Sequence, residues 1–450
     1  MKLFVRERYF YKTFFTLTLT IALQNVIAFS VNLADNIMLG AYTQEALSGA
    51  ALVNQIQFLL QMLIMGVGEG ITILASRYWG QKELEPVRRL VSIGMWLGIV
   101  ISVLMWAVAF LFPHAVLSLL SNDAAVVSEG VQYLRIICFS YICFAVTNVL
   151  IAALRSVETV TIAFIVSLST LCINACLNYV LIFGNFGAPQ LGIRGAAIAT
   201  LTSRIVETLI MVLYVKLRDS KIRLRIRDFA HIDLSLLKSY FKVGSPILLS
   251  NAIWGLAMAV QTAILGHMGS VAIAANSIAT TVFQILSVVT YGSASATAVL
   301  IGKTIGEGQL EKIKPYAITL QMLYLIIGVV TGLGLFLFKD IIINFYVVSA
   351  EAKALAISYM TILSVTVVGT AYQMPALTGI VRAGGDTQFV LKNDMIFMWC
   401  IVLPSSAICA FWLNLSPVVV FICLKSDQIL KCAVAVFKVN RFKWIRELHA

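Results

Sequence analysis

The 450-residue sequence predicts an all-α polytopic membrane protein, with twelve transmembrane helices in two parallel six-helix repeats. Three observations support this class. Hydrophobic residues make up 60% of the chain and charged residues 12%, whereas soluble domains carry roughly 25% charged residues. The apolar residues gather into twelve runs, each near the roughly 20 residues that cross a bilayer as a helix. The second half of the chain also repeats the first.

The runs follow one another with short polar breaks. Span 1 (14–39) closes on "LADNIMLG", and span 2 (52–75) leads into the basic "SRYWGQK". Spans 3 (90–112) and 4 (131–153) follow, then spans 5 (160–183) and 6 (195–217), joined through "GNFGAPQLGIRG". The stretch "KLRDSKIRLRIRDFAHID", Lys216 to Asp233, reads as a basic connector (218–235) between an N-terminal lobe (1–217) and a C-terminal lobe (236–450). Spans 7 (240–265), 8 (275–301), 9 (315–338), 10 (354–381), 11 (391–413) and 12 (416–438) build the second lobe. The first run is long and lacks a small-residue cleavage site, so no cleaved signal peptide is expected.

The net charge of +12 is distributed with a clear bias. Lys2, Arg6, Arg8 and Lys12 precede span 1, and Arg77, Lys82, Arg88 and Arg89 follow span 2. Eight more cations lie between Lys216 and Lys242, three follow span 8, and Lys438, Arg441, Lys443 and Arg446 follow span 12. If the spans alternate in direction, all of these share one side. The other side holds Arg194, Lys339 and Lys353. Basic residues concentrate on the cytoplasmic side of membrane proteins, so both termini are expected there, in a multi-pass protein of the plasma (inner) membrane. This placement accounts for the positive charge without nucleic acid.

The cysteines (138, 143, 172, 176, 400, 409, 423 and 432) all fall within spans and form no CxxC, which suits packing rather than disulfides or metal. His114 and His267 sit at outer span ends, His231 in the connector and His449 in the tail, with no zinc-type spacing.

Displacing the chain by 226 residues aligns "LGAYTQEALSGAALV" from Leu39 with "LGHMGSVAIAANSIA" from Leu265. Gly40, Ala46, Gly66, Leu74 and Gly80 meet Gly266, Ala272, Gly292, Leu300 and Gly306, and Tyr133 meets Tyr359. Six spans per half is an even number, so both halves enter and leave on the same side. Such parallel repeats are related by an axis along the membrane normal.

Against this background Asp35 is conspicuous. It lies in span 1 with no cation within twenty residues of it in sequence. An ionised carboxylate within a span costs at least ~3 kcal/mol, and intramembrane acids are functional by default. A neutral acid, or one paired with a distant helix, is the alternative. Asn174 and Asn178 of span 5 are four apart and share a helix face. Asn178 and Thr200 of span 6 lie about as far below the outer surface as Asp35 does. A carboxylate, two amide carbonyls and a hydroxyl at one level would hold Na⁺ or tune a proton-binding acid. Hydrogen bonding between helices is the alternative for each Asn or Thr alone. At the position of Asp35 in the second half stands Gln261.

Other polar residues within the spans are candidates for cavity lining or gating. Glu69 stands in "GVGEG", some way before the inner end of span 2, at the wrong depth to join Asp35. Gln57 and Gln61 share a face of span 2, near Met62 and Met65. Arg204 with Glu207, and Asp427 with Lys431, are spaced to pair along a helix. Lys425 in span 12 has no local partner in sequence.

The chain resembles the multidrug and toxic compound extrusion (MATE) family over nearly its whole length. The resemblance rests on "LADNIMLG", "LASRYWGQKEL", "NACLNYVLIFGNFGAPQLGIRGAAIAT", "VRAGGDTQFV" and "LSPVVVFICLKSDQILK", in that order. It implies a two-lobed, twelve-helix exporter that exchanges Na⁺ or H⁺ inward for cationic or amphipathic organic compounds outward. It also implies that Asp35, Asn174, Asn178 and Thr200 fall on positions of an N-lobe cation site. The sequence departs from the family in three places. Some members carry an acid where Asn178 stands. Some carry acids in spans 7 and 10, where Gln261 and "VVGTAYQMPALTG" supply none. A proline that bends span 1 in many members is absent, Thr20 standing at the place that matches Pro246 of span 7. A coupling site in the C-lobe and a proline kink in span 1 are therefore not expected.

The resulting expectation is a cation-coupled antiporter working by alternating access, with Asp35 as the acid or Na⁺ ligand and no cofactor beyond the coupling ion. The rival is a lipid-linked oligosaccharide flippase, which would need several cations for a pyrophosphate; Lys425 and Arg204 are the available ones. No paired acids, metal spacing or Ser/His constellation within the spans suggests an enzyme.

Overall fold

The computed structural model describes residues 4–121, 123–230, 233–346 and 348–446. Lys2, His231 and His449 lie outside the described residues. The order of helices is α1 (Arg8–Tyr42), α2 (Gln44–Gly80), α3 (Leu84–Leu111), α4 (Pro113–Ser118), α5 (Ala124–Ile137), α6 (Ser140–Ser156), α7 (Thr161–Phe183) and α8 (Ile193–Leu217). The second half continues with α9 (Leu234–Gly266), α10 (Ser270–Gly306), α11 (Leu310–Asn344), α12 (Ala350–Met374), α13 (Thr387–Asp394), α14 (Leu403–Ala407), α15 (Pro417–Lys425) and α16 (Asp427–Asn440). No strand occurs among the described residues, apart from an isolated bridge between Gly385 and Ile445.

Among the described residues, ten helices are long and apolar enough to cross a membrane, and α5 with α6 makes an eleventh as a bent pair. The last predicted span is α15 and α16, parted only at Ser426. The twelve-helix expectation agrees with this arrangement. Span 4 differs from its predicted form, because α5 and α6 meet at 55°. No proline is involved. The Ser140 hydroxyl donates to the Ile137 carbonyl at 2.6 Å, and Phe139 N bonds Ile136 O in a tightened turn. Hydroxyl back-bonding and local tightening of this kind bend helices. Hydropathy does not register either. Further wide π-type turns lie at Pro375–Val381, Met395–Val402 and Ile408–Trp412. Pro375 opens the first of them, and a proline cannot donate the N–H that continues an α-helix.

The chain forms two compact units. One comprises Leu23–Ala75 and Lys82–Gly244, and the other Met1–Ala22, Ser76–Gln81 and Ser245–Ala450. The first half of α1 and the last turn of α2 thus group with the C-terminal helices, whereas the first turns of α9 group with the N-terminal ones.

In the N-terminal unit, Val53, Leu60 and Ile64 of α2 pack with Leu134, Ile137 and Tyr141 and with Ala196 and Ala197 of α8. Small residues allow close approach, as membrane helix contacts favour. A Cβ on Gly49 would stand 2.7 Å from the Gly130 nitrogen, and one on Gly195 2.5 Å from the Leu181 carbonyl oxygen. Asp233 caps α9, accepting from Ser235 N at 2.9 Å and Leu236 N at 3.4 Å, while Arg89 reaches its other oxygen at 2.7 Å. The two backbone N–H groups, and then the guanidinium, hold this half-buried carboxyl below the usual carboxylate range.

In the C-terminal unit, the Tyr359 and Phe421 rings stack at 4.0 Å within a core of α9, α10, α12 and α15 residues. Beyond α16 the chain folds back on this unit. Trp444 is fully buried against Gly384, its indole N–H donating to Val439 O at 2.9 Å. Asp386 binds Lys438 at 2.6 Å and Arg446 at 2.9 Å, and Arg77 donates to the carbonyls of Ala383 and Arg446.

Candidate ion-coupling site

Three helices of the N-terminal unit bring Asp35, Asn174, Asn178 and Thr200 together. Helix α7 places Asn174 one turn before Asn178, so both amides leave the same face. Helix α8 begins after the left-handed Gly192, where the Tyr42 ring leaves no room for a side chain, and its second turn delivers Thr200. Asp35 comes from α1.

The four side chains form a closed ring of hydrogen bonds. Asn178 Nδ2 donates to Asp35 Oδ1 and, with its other hydrogen, to Asn174 Oδ1 at 3.0 Å. Asn174 Nδ2 donates to Thr200 Oγ1 at 3.0 Å, and Thr200 Oγ1 donates to Asp35 Oδ2 at 3.4 Å. The ring is sealed from its surroundings: Asp35 is 8% exposed, and Asn174 and Asn178 are 0% exposed. Asn178 Oδ1 is buried without a hydrogen-bond partner. Buried polar atoms are normally paired, so this carbonyl oxygen is a spare acceptor beside the carboxylate.

Among the described residues no cation closes on Asp35. Arg204, one turn beyond Thr200, donates instead to Glu207 Oε2 at 2.8 Å and lies 5.3 Å over the Phe144 ring. It acts on Asp35 only through space. The pairing of Arg204 with Glu207 agrees with their helical spacing. Tyr133 of α5 is buried beside Thr200 and in the field of Asp35, and sequence reasoning did not assign it to the site. Its one sequence signal was its match to Tyr359 in the repeat.

The remaining candidates do not join the ring. Glu69 is half-buried and interacts with Arg155. Gln57 is half-buried and Gln61 exposed. Gln261 is buried, its amide donating to the Met398 sulfur at 3.3 Å rather than facing an acid. The Lys425 ammonium stands 5.0 Å from the Phe283 ring centre and 5.6 Å from that of Phe421, with Asp427 acting on it electrostatically. Two aromatic faces therefore receive the charge for which the sequence showed no partner. Lys431 pairs with Asp427 at 3.4 Å, as its spacing implies, and also with Asp394 at 3.0 Å. Asp394 in turn accepts from Ser250 at 3.0 Å. Sequence reasoning missed Asp394, although an acid inside span 11 was signal enough.

Chemically, the ring offers one carboxylate, two amide groups and a hydroxyl. Rotation of an amide about its last torsion exchanges its N–H₂ for its carbonyl oxygen. The same four residues can therefore hold an ionised Asp35 with donors, or surround a hard cation with oxygen atoms. Among the described residues no three His, Cys, Asp or Glu side chains gather in the manner of a transition-metal site. The donor set suits Na⁺ or a proton.

Comparison with known proteins agrees with this architecture. The probable multidrug resistance protein NorM of Thermotoga maritima is 26% identical over 425 residues, covering 94% of this chain and 90% of that protein. The probable multidrug resistance protein NorM of Listeria innocua is 26% identical over 439 residues, covering 96% and 94%. A crystal structure of MATE in complex with MaL6 superposes with a TM-score of 0.87 at 20% identity, covering 96% of this chain and 97% of the other, which establishes the shared fold. The MatE family model matches residues 20–180 and 246–432, one segment in each half of the repeat, and the chain belongs to the MatE family.

Proposed function

We propose that the chain is a cation-coupled antiporter that exports small cationic or amphipathic organic compounds by alternating access, taking its coupling ion, Na⁺ or H⁺, at Asp35. The relatives named as multidrug resistance proteins support the export of organic compounds. The observation that carries the ion assignment is the closed ring of Asp35, Asn178, Asn174 and Thr200, which holds one carboxylate with no ion-pair partner among the described residues. The protein is read as a transporter of the plasma membrane with both termini in the cytoplasm, not as an enzyme.

In the ionised state the carboxylate accepts from Asn178 and Thr200, which offset part of the cost of burying its charge. A proton arriving at Asp35 removes that charge. The protonated acid then donates, and the Thr200 hydroxyl turns to accept. With Na⁺ the amides of Asn174 and Asn178 rotate, and their carbonyl oxygens join the carboxylate and hydroxyl around the ion. Either event replaces a ring of donors by a neutral, repacked cluster and so favours a different arrangement of α1, α7 and α8. An organic substrate that binds the other arrangement better is linked to the ion by that difference in affinity. A flippase for pyrophosphate-linked lipids fits less well, because Arg204 is neutralised by Glu207 and Lys425 rests on two rings.

The test is uptake of a fluorescent organic cation into proteoliposomes, with a Na⁺ gradient and a pH gradient imposed separately. Wild-type protein responds to one of them and Asp35→Asn to neither. Gradient-driven uptake by Asp35→Asn at the wild-type rate overturns the assignment.

A further inference from the structure

We propose that the inner end of α16 binds an anionic phospholipid of the cytoplasmic leaflet, its acyl chain in an apolar cleft and its phosphate between Arg441 and Lys443. The cleft has a volume of about 570 Å³. Its walls are Phe389 of α13 and Ala433, Val434 and Phe437 of α16, and its rim is Lys438, Arg441 and Lys443. Apolar walls and a basic rim in one cleft match the two ends of a phospholipid.

The rim cations are not equivalent. Lys438 is already engaged, paired with the buried Asp386 at 2.6 Å and lying 4.1 Å over the Phe389 ring. Arg441 and Lys443 are exposed and have no acidic partner among the described residues. The Arg441 guanidinium carbon lies 3.8 Å from the centre of the Phe437 ring, a position from which its N–H groups remain free to take a phosphate in bidentate fashion. Phe442 between them adopts a left-handed φ of 52°, turning the chain at the end of α16 so that both flanking cations line the one cleft.

The occupant follows from charge and position. Two unpaired cations repel the cationic compounds proposed as substrates. A free phosphate would satisfy the rim and leave the walls unfilled. Phe437 is 58% exposed and Val436 46%, so the side of α16 that forms the cleft is continuous with surface suited to acyl chains. The cleft lies at the end of α16 that the distribution of basic residues puts in the cytoplasm, and basic pockets between helices on that side bind anionic headgroups. This inference shares that orientation with the proposed function but does not depend on transport.

The experiment is a titration of delipidated full-length protein with phosphatidylglycerol or phosphatidylcholine of identical chains, with bound lipid counted by native mass spectrometry. Wild-type protein takes one phosphatidylglycerol about 30-fold more tightly than phosphatidylcholine, the contribution of two basic side chains at an anionic surface. Arg441→Gln with Lys443→Gln removes the preference. Ala433→Trp fills the cleft with both cations intact and removes the tight phosphatidylglycerol as well. Lys238→Gln with Lys242→Gln, a basic pair at the start of α9, leaves the preference in place. Equal binding of the two lipids by wild type, retention of the preference by either cleft variant, or displacement of the lipid by inorganic phosphate overturns the proposal.

Discussion

Asn178 donates an amide hydrogen to Asp35 across 143 residues of sequence, joining α7 to α1 at a carboxylate with no ion-pair partner among the described residues. The same amide donates to Asn174, so one side chain orients both the acid and the next member of the ring. Asn178→Ala removes both bonds and leaves Asp35 Oδ1 without a donor. A hydrogen bond to a charged group contributes about 1.5–3 kcal/mol. The expected outcome is a fall in the initial rate of gradient-driven uptake of roughly 10- to 100-fold. Proteoliposome uptake measures it; a rate within a factor of about two of wild type would show that the ring does not control the acid.

Thr200 closes the ring as acceptor from Asn174 and donor to Asp35. Thr200→Val keeps the shape and deletes the hydroxyl, whereas Thr200→Ser keeps the hydroxyl and deletes a methyl group. Hydrogen bonds contribute about 1 kcal/mol each and more to a charged group, so Thr200→Val should shift the apparent affinity for the coupling ion about fivefold or more, weakening Na⁺, which loses an oxygen ligand, and tightening H⁺, because the ionised Asp35 loses a donor. Thr200→Ser should stay near wild type. Equal affinities for the two variants would assign Thr200 to packing.

Much of this grouping was legible in the sequence, and the reasons are geometric. Asn174 and Asn178 are one helical turn apart, so their common face follows from the period of the helix. Counting residues from the outer ends of spans 1, 5 and 6 put Asp35, Asn178 and Thr200 at one depth, because helix rise per residue is constant. Tyr133 was not legible as a neighbour, since it sits just before a 55° bend produced by a serine hydroxyl, which hydropathy does not register. Asp394 escaped for a different reason. Its partners Lys431 and Ser250 lie on other helices, 37 and 144 residues away, and spacing along one helix says nothing about them.

The N-cap of α9 gives a pH-dependent prediction outside the membrane. Asp233 accepts from Ser235 N, Leu236 N and Arg89, and its carboxyl is held below the usual range chiefly by the two backbone donors. A depressed folded-state pKa contributes stability that is present above the unfolded value and lost as pH falls through the folded one. Asp233→Ala should therefore lower the melting temperature of the detergent-solubilised protein by a few degrees at neutral pH. The difference should shrink steadily once the pH drops below the ordinary aspartate range. A gap between the two proteins that stays constant into acid would mean that the cap acts by shape rather than by charge.

Glu207 decides whether Arg204 is free to compete for Asp35. The pair is close, at 2.8 Å, and Glu207 is 5% exposed. Thr200 and Arg204 are one turn apart on α8, so an Arg204 released from Glu207 lies within reach of the ring. Glu207→Gln leaves the guanidinium without its carboxylate, and the acid on which it already acts through space is Asp35. At an effective dielectric constant of about 20 an opposite charge a few ångströms away contributes several kcal/mol, part of which is spent on repositioning the side chain. The concentration of coupling ion that half-saturates transport should then rise about tenfold in Glu207→Gln. Removing both charges, in Arg204→Gln with Glu207→Gln, should restore it to within about threefold of wild type, since the competitor is gone. Arg204→Gln alone buries Glu207 without a partner and should act mainly on stability, by about 3–5 kcal/mol at most. If the double variant binds the ion as weakly as Glu207→Gln, the released arginine is not the competitor, and the pair serves only to hold α8 in place.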